Sequence, residues 1–154
     1  MDISNAYNSW AAQYDTNDNK TRDLEALTLK KLLSGKNYKH CLEVGCGTGK
    51  NTDWLLTICG QITAIDVSQG MLEIAKNKIK STKVNFTEVD ITKDWTFAKT
   101  TYDLVTFSLM LEHIEDLDAV FQKLVKLSNK GTRVYIGELH PFKQYAGSKA
   151  RFET

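Results

Sequence analysis

Proline is almost missing from this chain: Pro141 is the only one in 154 residues. Everything before it is free to form helices and strands without a forced break. Cysteine is nearly as scarce. Cys41, Cys46 and Cys59 are odd in number, form no C-x-x-C pair, and two of them sit in or beside the expected buried strand and loop, which fits a reduced, cytoplasmic setting. No run of about 18 apolar residues occurs, so no membrane-spanning helix is expected. No charged-then-apolar leader opens the sequence, so no secretory signal is expected. Charge is unbiased: twenty basic residues stand against nineteen acidic ones, net +1, with no long run of either sign. That balance disfavours nucleic acid or a membrane surface as partner. Internal repeats and low-complexity tracts are absent. What remains is a chain whose length suits one domain, residues 1–154, and whose 42% hydrophobic content suffices for one core.

Glycine, by contrast, is concentrated where it matters. Residues 41–52 read Cys-Leu-Glu-Val-Gly-Cys-Gly-Thr-Gly-Lys-Asn-Thr. An apolar strand end (Cys41, Leu42, Val44) runs into Gly45, Gly47 and Gly49, and a helical pattern follows at once through Asn51, Thr52, Trp54, Leu55 and Leu56. Glycine is needed where φ is positive or where the backbone lies against a ligand, and a helix start offers unpaired N–H groups. The stretch therefore predicts a cofactor site. A dinucleotide fingerprint would need glycine at position 50, which is Lys50; a phosphate loop ending Gly49-Lys50 would need glycine at 44 and Ser or Thr at 51, where Val44 and Asn51 stand. Glu43, two places before the first glycine, would repel a pyrophosphate and suits a ligand carrying an ammonium or sulfonium charge.

The pattern E-V-G-C-G-T-G resembles motif I of the class I S-adenosylmethionine (SAM)-dependent methyltransferases. The resemblance runs from about residue 5 to residue 140. It implies an α/β fold, a Rossmann-like doubly wound, mostly parallel sheet of strand order 3-2-1-4-5, with SAM as cofactor. Gly45, Cys46, Gly47 and Gly49 would approach the methionine part and ribose of the cofactor, and Glu43 its positive end.

Upstream, Tyr7, Trp10, Ala11 and Tyr14 recur at three- and four-residue intervals, as in a short amphipathic helix. The resemblance makes residues 1–20 a lid over the cofactor, with Tyr14 bonding or stacking on it and Arg22 pairing with its carboxylate. The plainer alternative is a core face plus a helix-terminal charge. Leu24, Leu27, Leu29, Leu32 and Leu33 predict an amphipathic helix over 22–34, closed by Ser34-Gly35.

Strands are expected at 39–44, 61–66, 83–89, 102–111 and 131–138, with helices at 50–59 and 116–128. Asp66 ends the second strand 21 residues after Gly45, the place from which an acid reaches a ribose hydroxyl pair. NAD-binding folds share that acid. Val67-Ser68-Gln69-Gly70-Met71 continues as in the methyltransferases, where Ser68 would cap the next helix and Met71 pack on the adenine. By the same resemblance Asp90 accepts from the adenine amino group and Ile91 borders the ring. The alternative for Asp90 is an Asx turn before Thr92. The end of the fourth strand, Ser108 to Leu111, would lie beside the transferable methyl group.

His113 and His140 are expected to face one crevice at the carboxyl ends of the strands, both as candidates for a general base; His113 reads equally as a backbone-bonded loop residue. Some methyltransferase branches place Glu-x-x-Glu-His and a later histidine around a metal. Here Leu109 stands at the first ligand, so no metal is expected beside Glu112, His113 and His140. Family domains carry two more strands after the fifth. Residues 143–154 form a polar tail too short for them, so either the chain is truncated or a partner supplies the missing edge, and an uncovered fifth strand would be open to homodimerisation. The expected activity is methyl transfer from SAM to a small-molecule acceptor. A catalytically silent SAM-binding module and an NAD-dependent oxidoreductase are the alternatives.

Overall fold

Apolar stretches too short for anything but strands alternate with helical ones, and such a chain closes into a parallel sheet with helices as crossovers. The computed structural model describes residues 3–16, 18–98, 100–142 and 146. Its strands are β1 (Tyr38–Val44), β2 (Cys59–Asp66), β3 (Val84–Glu88), β4 (Tyr102–Ser108) and β5 (Ser128–Gly137). They form one sheet in the order β3-β2-β1-β4-β5, every pairing parallel. The expected topology is the observed one. The helices are α1 (Ile3–Tyr14), α2 (Lys20–Leu33), α3 (Lys50–Leu55), α4 (Gln69–Lys78) and α5 (Leu117–Lys126), with a 3-10 turn at Leu111–His113. No helix among the described residues is long and apolar enough to cross a membrane.

Alternation along the central strands divides the core in two. Cys41, Ile62, Ala64 and Leu104 face Leu29 and Leu33 of α2 and Leu55 of α3, while Leu42, Val44, Ile65, Val105 and Phe107 face Val120 and Leu124 of α5. Strands buried on both faces read as continuous apolar runs. The Asp103 carboxylate ties β4 to β1 at their amino ends, accepting from the N–H groups of Lys39 (2.7 Å) and His40 (2.8 Å).

Three expectations need correcting. α2 buries Glu25, Ala26, Leu29 and Leu33 and leaves Leu24, Leu27 and Leu32 exposed, at 66%, 65% and 56%. Its leucines are spread around the helix, so spacing alone did not select the inward face; a hydrogen bond from the Tyr135 hydroxyl to Glu25 (3.0 Å) accompanies the observed one. β4 stops at Ser108 rather than running to 111, because Leu109 takes a left-handed conformation with φ 53°. α3 ends at Leu55, four residues short of the predicted end. The tail 143–154 lies outside the described residues except for Ala146, whose N–H donates to the Phe142 carbonyl.

Candidate functional site

Strand β1 lies between β2 and β4, and the chain leaves it in opposite directions on its two sides, so the carboxyl ends of the strands open a crevice. The glycine loop fills its floor. Gly45, Gly47 and Gly49 all have positive φ (75°, 53° and 82°), which L side chains rarely adopt. A Cβ on Gly45 would press on Met110 Cγ at 2.9 Å; one on Gly47 would meet nothing within 4 Å. Gly47 thus presents bare backbone to open space. Gly49 plays a different part: it caps α3, lies 2.9 Å (as a built Cβ) from Ile79 Cδ1, and lines neither cavity described below.

The larger cavity runs from the glycine loop across the ends of β2, β3 and β4. Gly45, Gly47, Asp66, Val67 and Met71 line one end of it, and Asp90 and Ile91 the next. Asp66 Oδ2 accepts from the Gly47 N–H (2.8 Å) and Oδ1 from the Ser68 N–H (2.9 Å), while burial raises its carboxyl above the usual range. Asp90 Oδ1 accepts from the Thr92 hydroxyl (2.6 Å) and N–H (3.0 Å), bonds that hold its carboxyl below the usual range. The Asx turn and the place on the cavity wall are therefore both realised. Ser68 caps α4, accepting from the Met71 N–H at 3.2 Å.

A smaller cavity adjoins the first through Tyr14, Gly45, Gly47 and Ser108 and adds Arg22, Glu43 and Cys46. The Arg22 guanidinium lies over the Tyr14 ring, 4.1 Å from its centroid, and donates to the Tyr14 carbonyl at 2.6 Å. Glu43 is 4% exposed and accepts from the Thr52 hydroxyl at 2.6 Å; burial, with Glu25 and Asp66 nearby, pushes its carboxyl up to about 8.

Helix α1 closes over the top. The Ser4 hydroxyl donates to the Val67 carbonyl, and Asn8 Oδ1 accepts from the Ser68 hydroxyl (2.7 Å) and the Gly70 N–H (2.9 Å). Just past its end, Asp15 accepts from the Thr48 hydroxyl (2.7 Å) and pairs with Lys78. At the far wall, the Tyr7 hydroxyl is 2.8 Å from His113 Nε2, with Ser108, Leu109 and Met110 adjacent. The loop carrying these residues is held by Glu138 Oε1, which accepts from the N–H groups of Met110 (3.0 Å) and Leu111 (2.9 Å).

A family model described as a methyltransferase domain matches residues 42–136, from the end of β1 to the end of β5. The chain belongs to the class I SAM-dependent methyltransferases. An uncharacterised methyltransferase of Schizosaccharomyces pombe is 32% identical over 114 residues, covering 68% of this chain and 40% of that protein. A malonyl-acyl-carrier-protein O-methyltransferase of Acetivibrio thermocellus is 36% identical over 96 residues, covering 61% and 33%. Among solved structures, the complex of DhpI with S-adenosylhomocysteine (SAH) matches with a TM-score of 0.74 at 27% identity, covering 85% of this chain and 65% of that one. This methyltransferase chain thus spans less than half the length of those two curated relatives.

Of the residues the sequence singled out, the crevice gathers Tyr14, Arg22, Glu43, Gly45, Cys46, Gly47, Asp66, Val67, Met71, Asp90, Ile91, Ser108 and His113 around its two cavities. His140 does not join them. It is exposed, lines neither cavity, and its Nδ1 accepts from the Phe142 N–H at 3.1 Å, so it and His113 do not share a crevice. Sequence reasoning missed Glu25 and Asn51, which line the smaller cavity, and the pairing of Tyr7 with His113. Asn51 carried a signal, since it stands where a phosphate loop would have its hydroxyl. Glu25 carried none.

Proposed function

We propose that this chain binds SAM across the two cavities and passes its methyl group to a small-molecule acceptor. The observation that supports this best is the bare backbone of Gly47 between three acids of distinct environment, Glu43, Asp66 and Asp90. The cofactor supplies a methyl group on a sulfonium, already a good leaving group. What the chain adds is alignment and exclusion of water.

Asp66 has two of its roughly four acceptor positions taken by backbone N–H groups, which leaves capacity for a ribose hydroxyl pair. Asp90, Ile91 and Met71 suit an adenine: a carboxylate beside apolar walls. Arg22, fixed by stacking on Tyr14, suits a carboxylate. His113, in the wall beside Ser108, is the group positioned to take a proton from the acceptor, and Tyr7 orients its ring. The three buried free cysteines, Cys41, Cys46 and Cys59, support a reducing, cytoplasmic setting.

Calorimetric titration tests the reading. SAM and SAH are expected to bind and NADH not; tight NADH binding with none for SAM would overturn it. Incubation with labelled SAM and a panel of small hydroxyl and amine acceptors then separates an enzyme, which forms product, from a silent binding module.

A further inference from the structure

The crossover from β3 to β4, residues 89–101, contains neither helix nor strand among its described residues. Parallel strands are usually joined through a helix, whose own hydrogen bonds fix the chain between them. Here that task falls to side chains. It matters for the site, because this crossover carries Asp90, Ile91 and Thr92 into the wall of the larger cavity.

The turn at its start sets its own shape, through the Lys93 N–H on the Asp90 carbonyl (3.1 Å) and the Thr92 N–H and hydroxyl on the Asp90 carboxylate. Its place is set from outside. The Trp95 indole N–H donates to the Ile91 carbonyl at 2.9 Å. The Lys123 ammonium, arriving from α5, donates to three consecutive carbonyls, those of Ile91 (3.3 Å), Thr92 (2.8 Å) and Lys93 (2.7 Å). An ammonium has three N–H groups, so all of its donors are engaged on this one turn. Among the described residues Lys123 forms no ion pair. Three carbonyl dipoles gathered on one point repel one another, and a cation at that point turns the repulsion into attraction. Val120 and Leu124, on either side of Lys123 in the helix, are buried in the same core cluster as Ile91, so α5 cannot shift its lysine without opening that core. A lysine that merely closes a turn needs one carbonyl; three in succession on the segment that walls a ligand cavity point to control of that wall.

We propose that Lys123, which lines neither cavity, is a positioning residue for this wall and sets how sharply the site distinguishes adenine from other purines. This rests on the SAM-binding reading above. With the turn pinned, Asp90 and Ile91 are in place before a ligand arrives, and no binding free energy goes to ordering them. With it loose, any purine meets a wall that yields.

Calorimetry with SAH and with its inosine counterpart, in which a carbonyl oxygen replaces the purine amino group, tests this. That oxygen would set acceptor against acceptor at Asp90, so the unaltered protein is expected to bind the inosine analogue at least about tenfold more weakly than SAH. Lys123→Met keeps the length of the stem and removes the three N–H groups. It is expected to weaken SAH about three- to tenfold, to change the inosine analogue much less, and so to narrow the ratio between them. Lys123→Arg, which restores N–H donors at the end of the stem, is expected to return the ratio most of the way to the parent's. A Lys123→Met protein with the parent's ratio overturns the proposal even if its melting temperature falls, and so does a Lys123→Arg protein no better than Lys123→Met. Should Lys123→Met not fold, Lys123→Gln, whose amide stops short of the three carbonyls, is read by the same ratio. Equal binding of the two ligands by the unaltered protein also overturns it, since there is then no discrimination for Lys123 to set. Failure of both to bind the unaltered protein would instead sink the SAM-binding reading itself.

Discussion

The Asp66 carboxylate holds the glycine loop with one oxygen and the start of α4 with the other, and it still has lone pairs for a ligand. Removing it should therefore weaken ligand binding while loosening the loop. Asp66→Ala is expected to cost about 1–3 kcal/mol of SAM affinity, read by titration calorimetry. Unchanged affinity would count against the ribose role. Glu43 makes a claim about pH instead. Its folded carboxyl is pushed up to about 8 from an ordinary 4.5 by burial. A raised acid contributes stability that is complete below its unfolded value and is lost as pH rises through the folded one. The melting temperature should accordingly fall between about pH 4.5 and pH 8, and Glu43→Gln should flatten that slope. A variant as steep as the parent would place the effect elsewhere.

The residues that were legible in the sequence are those whose backbone demand is local. Three glycines at alternate positions announce positive φ before any fold is known, and Asp66 is reached by counting from them. Glu25 is the opposite case. Its inward position is matched by Tyr135 from the far end of the chain, and no spacing rule connects them. His140 failed for a related reason: β5 ends at Gly137, and the side chain turns back onto the Phe142 N–H rather than toward the crevice.

Helix α2 shows how far a periodic pattern reaches at the scale of an element. The pattern predicted a helix over 22–34, and the helix runs Lys20–Leu33, but leucines on every side left its inward face open. Leu29 is 0% exposed and Leu27 is 65% exposed. Leu29→Ala should destabilise the fold by about 2–5 kcal/mol, and Leu27→Ala by no more than about 0.5. Urea titration of the pair checks the assignment; equal costs would mean the helix is rotated. The strands were easier. Cys41–Val44 and Leu104–Phe107 are buried residue after residue, and strands of that kind belong in the middle of a parallel sheet.

At the scale of the whole molecule, β5 pairs only with β4, and its other edge has no partner among the described residues. Val134 and Ile136 are 41% and 49% exposed there. An open edge with apolar side chains beside it is a template for strand pairing. Self-association through β5 is expected to grow with concentration in sedimentation velocity, and Ile136→Lys should suppress it. A monomer at every concentration would remove homodimerisation from the picture. The strand order itself followed from family resemblance and not from residue spacing, since nothing in the spacing of five strands says which lies beside which.

The clasp of Asp15 to Thr48 and Lys78 fastens the N-terminal helix to the glycine loop and to α4 at once. Lifting of α1 from the glycine loop is therefore expected to require that clasp to break, and the clasp rests on a half-exposed ion pair. Such pairs are screened by salt. Raising the ionic strength should then quicken SAH escape in stopped-flow displacement more than it alters capture, so that the door, by loosening, shortens the stay of its occupant.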